Sequence, residues 1–468
     1  MPLVALSLIA AVFAACHGRP APPAAPTADG YYGAWYADGR FYSGGFAVFP
    51  SQHTPFAVHR REVGKTFFVY GGVIPGRPGL KAMAAYYDHG RDLVPRPTIV
   101  HDWGEDGDAH RNPTISIDGE GRVWVFVSGH GDTGYIYRGK IPYSVAEFER
   151  IAAPLMTYPE PWWVPGEGFL LFFTSYARSR EQFWISSPDG LGWADGDSWK
   201  AAGQLNTWTV GRGYGNYQIS GRSGTRVGTA MNAYVEGQNR SNLYYLQTDD
   251  AGRTWQLADG TPFTPPYAEM DSPPLVRDFW SEKLLVYLQD LTFDRLGRPA
   301  ILFLTAPAGQ YLEGPGGPRT WTVARWTDGG WSFSRVTESL NNFDCGSLYI
   351  EDDGTWRIIG PTEPGPQRWK TGGEVAVWTS RDQGKTWEIA RRLTGGSPYN
   401  HSHVRRPVDA HPGFYALWAD GDGNRPSDSR LYFCTKDGAV RVLPQRMKGG
   451  FASPERRPAP RSPGVPGE

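Results

Sequence analysis

Two eight-residue stretches, "TDDAGRTW" (248–255) and "SRDQGKTW" (380–387), constrain this chain more than any other feature. Both fit the pattern S/T-x-D-x-G-x-T-W. The Asp can accept backbone N–H groups of the turn it opens, the Gly lets the chain reverse, and the Trp is large enough to wedge between two sheets. "SSPDGLGW" (186–193) is a degenerate copy. Each copy closes an apolar run of strand length: "NLYYLQT", "EVAVWTS" and "EQFWISS". A hairpin turn that recurs in this way marks a repeated unit of short antiparallel strands.

Between residues 31 and 448 that unit recurs seven times, at roughly 50–70 residues each. Unit one is read from "KTFFVYGG", "KAMAAYYD" and "PTIVHD", and unit two from "PTISID", "RVWVFVS" and "GYIYR". Units three to six open on "PWWV", "YQIS", "LLVYLQDLTFD" and "SLYIED", and unit seven on "VRRPVDA". "GFAVFP" (45–50) is placed to pair with unit seven and close the ring. The turns are of the Asp-box, or BNR, type. The fold class predicted is therefore all-β, a seven-bladed β-propeller of four-stranded antiparallel blades with Asp-box turns. The 59 Gly, 40 Pro, 19 Trp, 24 Tyr and 22 Phe among 468 residues suit many short strands and tight turns.

The ends read differently. Residues 1–15, "MPLVALSLIAAVFAA", are apolar, too short to span a bilayer, and look like the core of an export signal. "FAAC" ending at Cys16 resembles a bacterial lipoprotein box, which predicts a lipid anchor on Cys16 and an exported protein, at the cell surface, in the periplasm or freely secreted. Residues 16–30 read as a Pro/Ala spacer, 31–448 as the propeller and 449–468 as a disordered tail. The net charge of −1 gives no field that would gather nucleic acid, and none is expected as a partner. The chain reads as a monomer.

Propeller connectivity sorts residues by face. In each blade strands A to D run outward from the axis in alternating direction. The D-to-A and B-to-C connections share one face, and the A-to-B and C-to-D turns share the other. His110 precedes strand A of blade two and His130 lies in its B-to-C loop, so both reach the first face. By the same rule that face collects Asn112, Tyr176, Arg180, Tyr217, Asn232, Tyr234 and Arg240. "NHSHVRRP" adds His401, His403, Arg405 and Arg406 from the approach to blade seven, and Asp344 and Cys345 come from blade six. The bland alternatives are a His satisfying a carbonyl, a Tyr in the core and an Arg in a loop ion pair. His53, His59 and His101 read as peripheral, and His89 and His411 fall on the other face.

His, Tyr and Arg without a clear pair of carboxylates are an odd set for glycoside hydrolysis. Acidic residues do occur in "GEDGD" (104–108) and at Asp344, so hydrolysis stays open. The set suits β-elimination at a uronic acid, where a cation stabilises charge growing on the carboxylate while a base and an acid move protons. "DAHRNPTISIDGEGRVWVFVSGHG", "RSNLYYLQTDDAGRTW" and "NHSHVRRPVDAHPGFYALWADG" resemble the BNR-repeat polysaccharide lyase group of ulvan lyases and rhamnosyl-glucuronate lyases. The resemblance implies cleavage of an anionic uronic-acid polysaccharide to an unsaturated uronate, with no cofactor in the chemistry. It implies His110, His130 and Tyr176 as catalytic residues and Arg180 or Arg240 as the carboxylate's partner. Asn112, Tyr217, Asn232, Tyr234 and Arg405 are further substrate-binding candidates. It also implies a structural metal, zinc or calcium, for which Cys345, His401 and His403 are the candidate ligands.

Two other readings stay open. A sialidase-like hydrolase shares Asp boxes, but "GGVIPGRP" lacks the Arg that precedes Ile-Pro in such enzymes. A non-catalytic glycan-binding propeller is the third, since Asp boxes do not imply catalysis.

Overall fold

The computed structural model describes residues 26–35, 45–46, 53–176, 180–197, 200, 202–207, 216–235, 239–310 and 317–460. The export signal and Cys16 lie outside the described residues, as does most of "GFAVFP". Seven antiparallel sheets follow one another along the chain, each with four strands in sequential order at its heart. Among the described residues there is no α-helix, and the 3-10 turns include Arg61–Val63 and Ala109–Arg111.

The first strands of successive blades pack on one another around the axis, which is why they are buried on both faces. In blade two, Pro113–Ile117 and Val123–Val127 are buried at every position, followed by the half-exposed Tyr135–Gly139 and Phe148–Ala152. The apolar core is a set of layers between blades. One joins blades two and three around Trp124, Phe169 and Phe173, and another joins five and six around Trp321 and Ile358. Trp321 seats so close to blade six that a Cβ on Gly360 would lie 2.6 Å from its ring. Glycine is required there by contact, not by backbone conformation.

The Asp boxes occupy C-to-D turns, as expected. Asp250 accepts from Thr254 N (2.9 Å), Thr254 Oγ1 (2.7 Å) and Thr248 Oγ1 (2.8 Å). Trp255 then meets Trp184 of blade three edge-on, with ring centroids 4.9 Å apart. Asp382 repeats the pattern, and the Trp387 indole donates to Ser334 of blade five. Asp250→Ala is expected to lower the midpoint of thermal unfolding while leaving turnover unchanged, because three turn hydrogen bonds go and nothing near the His110 face moves.

Several boundaries differ from the sequence reading. Blade one begins with Ala57–Arg60, pairing Ala57 with Phe68, so "KTFFVYGG" is its second strand. Four residues mixing His and Arg carry too little alternation to be seen. "NHSHVR" is not a loop before blade seven but the blade's innermost strand, Asn400–Arg405.

The tail also departs from expectation. Phe451–Ala452 pairs with Val94–Pro95 of blade one, and Glu455–Arg456 adds a fifth strand to blade seven. Arg96 Nη2 reaches Met447 O (3.1 Å), and Arg441 reaches Asp92 (2.7 Å). Part of the expected spacer is ordered too, with Ala28 N donating to Pro97 O at 2.9 Å and Asp29 O accepting from Met447 N at 2.7 Å. Both ends of the propeller thus strap the seam between its first and last blades. Removing residues 449–468 is expected to lower the thermal midpoint by several degrees in a scanning experiment, since the ladder bonds of Phe451–Ala452 and Glu455–Arg456 and the bonds from Arg96 to Gly449 and Gly450 are lost.

Candidate active site

The sequence DAHRN folds into the 3-10 turn Ala109–Arg111 because Asp108, in extended conformation, caps it by accepting His110 N (2.9 Å). The same oxygen takes Nδ1 of His110 at 2.5 Å, and the other carboxylate oxygen takes Nδ1 of His130 at 2.5 Å. One carboxylate therefore holds both imidazoles. The rings stack with centroids 3.9 Å apart and 13° between planes. With Nδ1 of each ring donating to Asp108, the lone pair of each neutral ring lies on its Nε2.

Burial opposes the charge on Asp108, but hydrogen bonds from His110 and His130 outweigh it and hold the carboxyl well below its usual range. Burial lowers His110, with Asp108 opposing and His130 and Arg180 adding to the fall, so this ring is neutral near neutral pH. The His110 side chain is 6% exposed and that of His130 28%, which leaves His130 the more accessible of the two.

Neighbouring contacts fix the loops. Arg111 pairs with Asp132 through two bonds of 2.9 and 2.8 Å and with Asp106 at 2.8 Å. Asp132 in turn accepts His130 N at 3.0 Å. Gly131 has φ +79°, and a Cβ there would stand 3.3 Å from the Tyr176 ring. Tyr176 meets His130 edge-on, with centroids 5.6 Å apart, and its hydroxyl lies 3.4 Å from that of Tyr158. The Arg180 guanidinium sits 4.5 Å from the Tyr176 ring centroid. Burial pushes the Tyr176 phenol up to about 12 against the opposing charge of Arg180, so it keeps its proton at neutral pH.

His110, His130, Tyr176 and Arg180 are thus brought together, as expected from blade connectivity. Other candidates are not part of that group's exposed surface. Arg240 is 1% exposed and lies 4.1 Å from the Tyr217 ring centroid, below the surface. Asn232 is fully buried and bridges blades, accepting Tyr217 N (2.8 Å) and donating to Val286 O (3.0 Å). Asn112 is also fully buried, packed against Gly71 of blade one, and Tyr217 and Tyr234 are largely covered. Arg405 is buried on the axis.

The proposed metal ligands do not converge. His401 has both nitrogens engaged, Nδ1 with the Trp418 indole (3.0 Å) and Nε2 with Ser397 Oγ (2.9 Å). His403, at φ +55°, sits instead beside Arg405 and His53. Cys345 and Cys434 are buried and not disulfide-linked. Among the described residues, the one trio whose ligand atoms lie within 4.8 Å of one another is Asp108, His110 and His130.

Sequence reasoning took Asp108 only as part of the acidic run GEDGD that kept hydrolysis open, and missed its hold on both histidines. It also misplaced His53, which is buried on the axis with Nε2 3.0 Å from His110 O.

A propeller with Asp-box turns and a histidine pair at one mouth defines the class, and the comparisons agree. The chain belongs to the BNR repeat-containing family, whose model matches residues 81–339. It is similar in fold to a PL25 ulvan lyase, with TM-score 0.69 and 18% identity over 87% of this chain and 96% of that one. A second structure of such a lyase, bound to -[GlcA(1-4)Rha3S]-, matches equally well. The polysaccharide lyase Uly1 follows, with TM-score 0.58 and 11% identity over 88% of this chain and 99% of the other. No curated protein sequence matches the chain.

Proposed function

We propose that this protein is a polysaccharide lyase that cleaves the linkage to a uronic acid by β-elimination. The observation that carries the reading is the stacked pair His110 and His130, both held by Asp108, facing Tyr176 and Arg180. The likeness to ulvan lyases supports it. Glucuronate or iduronate next to rhamnose is the substrate class.

Arg180 binds the uronate carboxylate and stabilises the enolate-like charge as the C5 proton leaves. An Nε2 of the histidine pair takes that proton, and Asp108 stabilises the imidazolium that forms. Tyr176, protonated in its buried position, gives its proton to the departing O4 as the C4–O4 bond breaks. The electron pair of the C5–H bond becomes the C4–C5 double bond, so no water is consumed. Most glycoside hydrolases use two catalytic carboxylates. Here Asp108 is engaged by both histidines, Asp106 and Asp132 by Arg111, and Asp344 by backbone N–H groups of Asn341 and Gly372.

The test is incubation with ulvan and other uronic-acid polysaccharides while following ultraviolet absorbance of the new double bond. Growth of that absorbance is expected with a glucuronate–rhamnose polymer. Reducing ends that accumulate without unsaturation would replace elimination by hydrolysis.

A further inference from the structure

The axis holds a polar cavity of about 80 Å³, on the side away from the His110 mouth. Its wall brings three guanidiniums, Arg222, Arg405 and Arg406, against two carboxylates, Asp290 and Asp409. Asp409 lies 3.8 Å from Arg222 and 3.6 Å from Arg60. Asp290 takes Arg406 at 3.3 Å and the backbone N–H of Leu348 at 2.8 Å.

Arg405 differs. It is 3% exposed, yet its Nε and Nη2 meet no acceptor. Asp290 and Glu160 are near enough to act on it, but Asp290 is already held by Arg406 and Leu348 N, and Glu160 offers no charge, because burial raises its carboxyl well above the usual range and Ser220 Oγ holds one oxygen. Gln289, on the same wall, accepts Gly346 N (3.0 Å) with Oε1, which leaves its buried Nε2 without an acceptor. A buried guanidinium with no hydrogen-bonded counter-charge is strongly unfavourable.

Three buried donor nitrogens without acceptors, in a wall where three guanidiniums face two carboxylates, describe the complement of a single small anion. We infer that the axis binds one monovalent anion of the chloride class, held between Arg405 of blade seven and Gln289 of blade five. The volume suits one such ion with a water or two, given about 30 Å³ per water. The cavity shares Pro55, Trp162, Arg222, Val408 and Asp409 with a basin of about 440 Å³ on the same side, which gives the ion a route in. The ion ties two non-adjacent blades together across the centre, independently of the chemistry at His110.

The test compares thermal unfolding of the full chain in sodium chloride and sodium gluconate at equal ionic strength. Because the ion binds only the folded ring, chloride is expected to raise the midpoint saturably, by roughly 2 °C or more. Gln289→Glu keeps the acceptor for Gly346 and places a carboxylate beside Arg405, so this variant is expected to unfold at the same temperature in both salts. Crystals grown in bromide give a second readout, an anomalous peak in contact with Arg405. Equal midpoints for the unsubstituted protein in the two salts would overturn the inference. So would a chloride gain undiminished in Gln289→Glu, or bromide crystals without that peak.

Discussion

Tyr176→Phe and His110→Ala are each expected to lower kcat by roughly two or more orders of magnitude, the range for removal of an acid–base group. The first deletes only a hydroxyl, 3.4 Å from that of Tyr158, and leaves the ring packed on Gly131 and His130. Its thermal midpoint should therefore stay close to that of the parent, which separates chemistry from folding. The second removes half of a stacked pair and one of the two donors that hold Asp108 ionised. Arg180→Ala is expected to raise KM as well as lower kcat, since the uronate loses its counter-charge in ground and transition states alike. Production of unsaturated uronate from a glucuronate–rhamnose polymer is the measurement. Near-normal rates in both Tyr176→Phe and His110→Ala would make this group structural.

Acid is expected to unfold the protein early, and histidines are the reason. On the face opposite His110, the rings of His59, His89 and His411 lie 3.8 to 5.2 Å apart, at the junction of blades one and seven. Burial, then His411 and His59, lowers His89 from 6.5 to about 3. Burial lowers His59 and His411 too, with Asp409 and Glu62 only partly offsetting the fall at His59. On the axis, burial lowers His53 to about 3. These groups are neutral when folded and take protons near 6.5 when unfolded. Their contribution is complete above pH 6.5 and is lost as pH falls toward 3. Thermal midpoints measured from neutral to acid pH should fall steadily below 6.5, and His411→Gln should flatten the slope. A midpoint that holds level from pH 7 to pH 4 would contradict this account.

What the sequence made legible follows from which signals are local. Asp-box turns carry their own hydrogen-bonding logic within eight residues, so they located the third strands and, through connectivity, the mouth that holds His110 and His130. Arg180 and Arg240 looked equivalent because both flank loops. Only packing separates them, by laying Arg240 against Tyr217 inside the blade. Asn232 looked like a ligand for the same reason, yet its amide serves two backbones fifteen and fifty-four residues away. "NHSHVR" misled because alternating polar residues suggest exposure, whereas an innermost strand buries both faces, so His401 and His403 point to different neighbours. The cap by Asp108 was hidden in a Gly/Asp run that reads as an ordinary turn.

The strap across the seam sets the order in which such a chain can be completed. Its hydrogen bonds join Arg96 to Met447 and Gly449, 351 and 353 residues apart. A ribosome must release nearly the whole chain before these partners meet, and contacts so distant form slowly. Until then the flank of blade one that Phe451–Ala452 will cover is an open strand edge, able to pair with a neighbouring chain. Yield of soluble protein on expression is thus tied to residues 449–468, and a stop codon just before Gly449 should send nascent protein into inclusion bodies more than any loop truncation on the Asp-box side.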